Sequence, residues 1–211
     1  MTQQHLAAIL EKHIPSSASQ SIAQLLLFYK VHLTIKWNRH TKLGDYRAPR
    51  KGEQHRITIN NALNKYSFLI TLIHELAHLT THEKFGYKVS AHGIEWKNEF
   101  KILMQPYLAN VEIFPDDIQH ALLKYMQNPK AASCSDIGLM TTLNNYNVHK
   151  NKLVNELSVG VHFSLKDEIR IFRLEKRLRK NFLCKEIKSG LMYRVSPVAE
   201  VVKVYDESSL A

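Results

Sequence analysis

The chain has 211 residues, a formal charge of +10 and two cysteines. That length can bury a sizeable core unaided, and the unmatched Cys134 and Cys184 exclude a disulfide framework. No stretch approaches eighteen consecutive apolar residues, which excludes a membrane-spanning helix.

The start, Met1-Thr2-Gln3-Gln4-His5, has no basic leader followed by an apolar run. With the thiol count this fits a reducing, cytoplasmic location. Residues 3–14 and 17–30 read as helices divided at Pro15-Ser16. Residues 31–37 alternate as a strand, with Val31, Leu33, Ile35 and Trp37 on one face. Residues 42–48 and 54–60 continue an antiparallel sheet, with Gly44 and Pro49-Arg50-Lys51-Gly52 as turn chemistry. A helix then starts after Asn60 and Asn61, the expected caps, and carries Tyr66, Leu69, Ile70, Ile73, Leu76 and Ala77 on a buried face. Residues 94–108 and 116–127 are further helices, the second with Asp116 and Asp117 at its positive end. Residues 128–158 are rich in Asn and Ser and read as a linker that includes a short helix. Residues 159–205 read as a basic β unit, and 206–211 as a frayed tail. The class is α+β.

The third helix contains His74-Glu75-Leu76-Ala77-His78. Positions i and i+4 lie on one helix face, so His74 and His78 can share one Zn²⁺ ion. Glu75 can reach a water on that ion and take its proton. The competing reading is a core helix whose histidines make ordinary hydrogen bonds.

A catalytic zinc needs a third protein ligand and an open position. The compact spacing that places Gly and His soon after the motif fails at Thr81 and Lys84. His82 continues a straight row with His74 and His78, which does not converge on one ion. His92, at the start of the next helix beside Gly93, is favoured. Glu95 and Glu99 are the rival carboxylate ligands.

The pair of motifs, His74-Glu75-Leu76-Ala77-His78 and His92-Gly93-Ile94-Glu95-Trp96, resembles the SprT-like zinc metalloproteases, the group that includes Spartan. Leu43-Gly44-Asp45-Tyr46-Arg47 and His55-Arg56-Ile57-Thr58-Ile59-Asn60 are similar to the segments that precede the metal helix there. The resemblance covers residues 20–110. It implies a zincin-like domain over residues 1–127, with a small antiparallel sheet packed on the metal-binding helix. It also implies one Zn²⁺ ion on His74, His78 and His92, with Glu75 as catalytic acid/base. The implied activity is proteolysis of DNA-attached proteins, stimulated by DNA. One departure is plain. Many relatives carry a C-terminal ribbon built on four cysteines, and two thiols cannot close such a site. The β unit at 159–205 is therefore a ribbon-like unit without that metal.

The charge points to polyanions: DNA, RNA or acidic proteins. One basic cluster, Lys36, Arg39, Lys42, Arg47, Arg50, Lys51 and Arg56, precedes the metal helix. A second runs from Arg170 to Lys188, with Phe172 and Phe182 interleaved. Those rings either stack on unpaired bases or pack inward from a hairpin. Solubility alone is the bland reading of both clusters. Tyr46, Tyr66 and Tyr87 are equal candidates for stabilising an oxyanion, and the strand at 54–60 is a candidate edge for an extended substrate.

Three functions are compatible with these residues. A zinc endopeptidase acting on protein substrates, with DNA-bound proteins as one candidate class, comes first. A basic nucleic-acid-binding protein with a structural zinc helix is the alternative. A hydrolase of small substrates is the third.

Overall fold

A computed structural model describes residues 2–37, 42–130, 136–166 and 168–205. Arg39, Cys134 and the tail expected to fray at 206–211 lie outside these. The chain divides into two units, Met1–Ser133 and Cys134–Ala211.

The first unit opens with α1 (Gln3–Leu10), whose Thr2 hydroxyl caps the His5 amide at 3.3 Å. α1 stops four residues short of the expected Ile14. Turn-type bonds from His13 and Ile14 to the Leu10 carbonyl tighten the chain ahead of Pro15. α2 (Ser16–Phe28) starts directly after that proline.

Three strands follow: β1 (His32–Lys36), β2 (Gly44–Arg47) and β3 (Arg56–Asn60). Their order is β1-β3-β2, with β3 parallel to β1 and antiparallel to β2. The antiparallel pairing of β2 with β3 is the expected one, and the parallel pairing of β1 with β3 corrects the expectation of a wholly antiparallel sheet. Alternating polarity reports which side chains face the core, and it carries no information on strand order or direction. Ile57 and Ile59 of β3 are fully buried, while Arg56 is exposed. Trp37 lies beyond the end of β1 and is 76% exposed, not part of the buried face.

α3 (Lys65–Phe85) packs on β2, β3 and α4 (Ile94–Ala109). Its cap is Asn64, whose side chain accepts from the Tyr66 and Ser67 amides, not Asn60 or Asn61. Asn60 instead ends β3 and accepts from the Ala62 amide at 3.1 Å. Every residue from Ser67 to Ala77 is buried, so the helix is enclosed on all sides instead of on one face. Each fully buried Leu, Ile or Phe there contributes about 1.5–3 kcal/mol. Gly86, at φ 61°, ends the helix in the left-handed region where a Cβ is strained. α4 buries Trp96, Phe100, Met104 and Tyr107, and α5 (Asp116–Met126) follows Pro115.

The second unit begins earlier than its β-rich composition indicated. Residues 136–158, inside the expected linker, hold α6 (Ile137–Asn144), β4 (Lys152–Leu153) and a 3₁₀ turn at Val154–Glu156. The reason is sparse but well-placed apolar residues: Leu139, Leu143, Leu153 and Val154 are buried among the Asn and Ser that dominate the average. The remaining strands are β5 (His162–Leu165), β6 (Ile171–Arg177), β7 (Phe182–Glu186), β8 (Met192–Val195) and β9 (Glu200–Tyr205). With β4 they form a six-stranded antiparallel sheet in the order β4-β9-β5-β6-β7-β8. Phe163, Phe172, Leu174, Phe182 and Cys184 make its core. Phe172 and Phe182 thus pack inward, and stacking on bases is not their role. Arg173 and Lys185 face each other across β6 and β7 and are exposed. Burial, and then Glu175, push the Cys184 thiol up to about 11, which marks it as a core residue.

Candidate metal centre

α3 carries His74 and His78 one turn apart, and their Nε2 atoms lie 3.3 Å from each other. His92 enters from the loop before α4. One ring nitrogen from each of His74, His78 and His92 lies within 4.8 Å of the others. Among the described residues this is the group of three that can hold a metal ion.

Two observations test whether an ion fits. Two ligands at about 2.0–2.1 Å from a tetrahedral zinc sit about 3.3–3.4 Å apart, which matches the His74–His78 spacing. His92 Nε2 is also buried with no hydrogen-bond partner among the described residues. A buried unpaired imidazole nitrogen is costly unless something supplies a positive charge or a proton. The close His74–His78 contact reads equally as a weak hydrogen bond or as two lone pairs aimed at one cation. The orphaned third nitrogen favours the cation.

The electrostatics agree. Burial, then the neighbouring His78 and His92, hold His74 down at about 3. Burial and His92 hold His78 at about 4, and burial lowers His92. All three rings are therefore neutral at pH 7, the state in which imidazole is a ligand.

Trp96 fixes the rings from α4. Its indole lies 4.6, 5.4 and 4.8 Å from the rings of His74, His78 and His92. It stacks in turn on Phe100 at 5.3 Å and 7°. His92 lies just ahead of α4 and Trp96 in its first turn, so the residue that docks α4 also packs on the third imidazole.

Glu75 is 6% exposed and points toward β2. A Cβ on Gly44 would stand 2.6 Å from Glu75 Oε1, 2.9 Å from its Cγ and 2.8 Å from Thr71 Cγ2. The backbone of β2 therefore lies directly on the Glu75 side chain, and only glycine leaves the room. Sequence reading assigned Gly44 to a turn, and nothing in the sequence signals its contact with a residue on another element.

The rival carboxylates are outside the cluster. Glu99 is buried with its carboxylate on Lys84 Nζ at 2.6 Å, bracing α4 to α3. Glu95 sits in the first turn of α4, packed on Gly93. His82 faces Tyr87 and His55, away from the three converging nitrogens.

The structure separates the three tyrosines. Tyr87 is 84% exposed and Tyr66 packs on Phe114. The Tyr46 ring lies parallel to His78, at 6.5 Å and 5°. Its hydroxyl is 3.0 Å from His55 Nδ1, and His55 Nε2 faces Glu83 at 3.3 Å. Burial above all keeps His55 neutral, so Tyr46 donates to Nδ1 while Nε2–H points at the carboxylate. Burial, then Glu83 and Tyr87, raise Tyr46 well above the ordinary phenol range, so it stays protonated. Sequence reading missed His55 and Glu83, which are 28 positions apart in number and adjacent only in space.

No helix among the described residues is long and apolar enough to cross a membrane. Residues 17–120 match the SprT-like family, which takes in the whole cluster from α2 into α5. No curated protein and no solved structure matches the chain.

Proposed function

Since the chain belongs, over residues 17–120, to the SprT-like family, we propose that it is a zinc-dependent endopeptidase. The convergence of His74, His78 and His92 beside Glu75 carries this reading. These three residues would hold one Zn²⁺. A Zn²⁺ ion held there would polarise the scissile carbonyl and lower the pKa of the attacking water to about 7. Glu75 accepts the proton of the attacking water and returns it to the leaving amine. Trp96 keeps the imidazoles in place, and burial keeps them unprotonated.

The substrate edge differs from the one expected. β3 is bonded on both sides and offers no edge. β2 flanks it, lies against Glu75, and pairs only with β3 among the described residues. An extended substrate adding to β2 would place its backbone next to that carboxylate, with little demand on its sequence. The +10 charge and the family resemblance support proteins attached to DNA as the substrate class.

A structural zinc is closed by four protein ligands, and among the described residues three converge. That favours a peptidase over a nucleic-acid-binding protein with a structural metal. The test is cleavage of an unfolded protein, with and without single-stranded DNA. Chelation should stop cleavage and stoichiometric Zn²⁺ should restore it. Tight zinc with no cleavage in either condition would overturn the reading.

The Gly44 contact yields a further expectation. Gly44→Ala should lower kcat about 10²-fold, because a displacement of Glu75 by about 1 Å has that cost. Zinc content should stay at one, since no ligand moves. An unchanged kcat would mean that Glu75 does not depend on the gap.

A further inference from the structure

The face of the first sheet turned away from α3 carries a different chemistry from the metal centre. In register across the three strands stand His32, Arg56 and Arg47. The next row is Thr34, Thr58 and Asp45. Lys36 follows on β1. These side chains, with Gly52, Glu53 and Gln54 from the turn before β3, line a cleft of about 480 Å³. That volume is in the range of small-ligand sites.

Arg47 and Arg56 are directly opposite on neighbouring strands. Like charges in that relation destabilise a sheet. Each has an acidic neighbour: Arg47 Nε lies 3.1 Å from Asp45, and Arg56 Nη2 lies 3.5 Å from Glu53. Lys42 shares Asp45 at 2.9 Å. These pairs are exposed, with the arginine side chains 76% and 55% accessible, and exposed pairs contribute little. Folding alone gives no reason to oppose two guanidiniums over an open cleft.

We propose that this cleft binds the phosphate of a nucleotide unit, at a site separate from the metal centre. A carboxylate offers two oxygens. A phosphate monoester offers three strong acceptors, enough to bridge two opposed guanidiniums and a threonine hydroxyl, and the diester of a strand offers two non-bridging oxygens, enough for the two guanidiniums. Lys36 adds a further cation, and the His32 ring is available to stack on a base. The phosphate can belong to a free nucleotide or to one unit of a single strand. Neither the peptidase reading nor zinc is needed for this site.

The experiment titrates the full chain with a fluorescein-labelled oligothymidylate and, separately, with thymidine monophosphate. Arg47→Gln/Arg56→Gln should weaken the bound probe at least about tenfold. Its salt dependence should lose about 0.7 in log–log slope per phosphate contact removed. The melting temperature should stay level or rise, because the opposed charges are gone. Lys36→Gln, at the far end of the cleft, should give a smaller loss in the same direction. The pair Arg173→Gln/Lys185→Gln on the second unit should retain the cleft's share of binding. Binding of the mononucleotide assigns the site to free nucleotides, and binding of the oligomer alone assigns it to a strand.

The proposal is overturned by wild-type affinity in the Arg47/Arg56 variant, by no binding of either probe, or by a marked fall in melting temperature. No cleavage is read, so a failed peptidase reading leaves this result standing, and the reverse also holds.

Discussion

Glu75→Gln should cut kcat for protein cleavage by about 10²–10⁴-fold, the contribution of a positioned general acid–base. The substitution keeps the shape of a side chain that is 6% exposed and packed under Gly44, so the fold should be unaffected. It removes only the ability to take a proton. Glu75 is not one of the three residues whose nitrogens converge, so zinc content should remain at one. Metal analysis and single-turnover cleavage on the same preparation separate the two effects. Cleavage equal to wild type would remove the hydrolase reading altogether.

His92→Ala should abolish stable zinc binding along with activity. Two imidazoles on one helix would remain, short of the three protein ligands a catalytic zinc needs. The affinity loss should exceed the 10–100-fold typical of removing a residue behind a ligand. Equilibrium dialysis with a zinc indicator measures it. Retained zinc would shift the third ligand to Glu95. Glu99 is a poor substitute, because its carboxylate is held by Lys84 on the neighbouring helix. The same variant should leave α3 and α4 packed, since Trp96 and Phe100 of α4 still lie against the His74 ring of α3.

Much of this was readable without coordinates. The i, i+4 spacing of His74 and His78 is a property of the helix itself, so a helical pattern was enough to put them on one face. The helices at 94–108 and 116–127 match α4 and α5 to within one residue, because strong apolar periodicity and Pro115 mark them locally. Other features have no local signal. The parallel pairing of β1 with β3 depends on where the chain crosses the end of the sheet. The apolar residues of α6 and β4 are too few to lift the composition of an Asn-rich segment, so it read as a linker.

The sequence by itself determined the chemistry of the centre: two imidazoles and a carboxylate on a single helical stretch, with a basic charge around them. The tertiary structure decided everything that depends on distance between elements. It brought His92 to α3 and tied Glu99 to Lys84. It laid Gly44 against Glu75 and set Tyr46 apart from Tyr66 and Tyr87. It also turned Phe172 and Phe182 inward and opposed Arg47 to Arg56. The physical reason is the same in each case. Helical and strand periodicity fix a residue's neighbours within about a turn, whereas contacts across elements come from how buried faces pack, which periodicity does not encode.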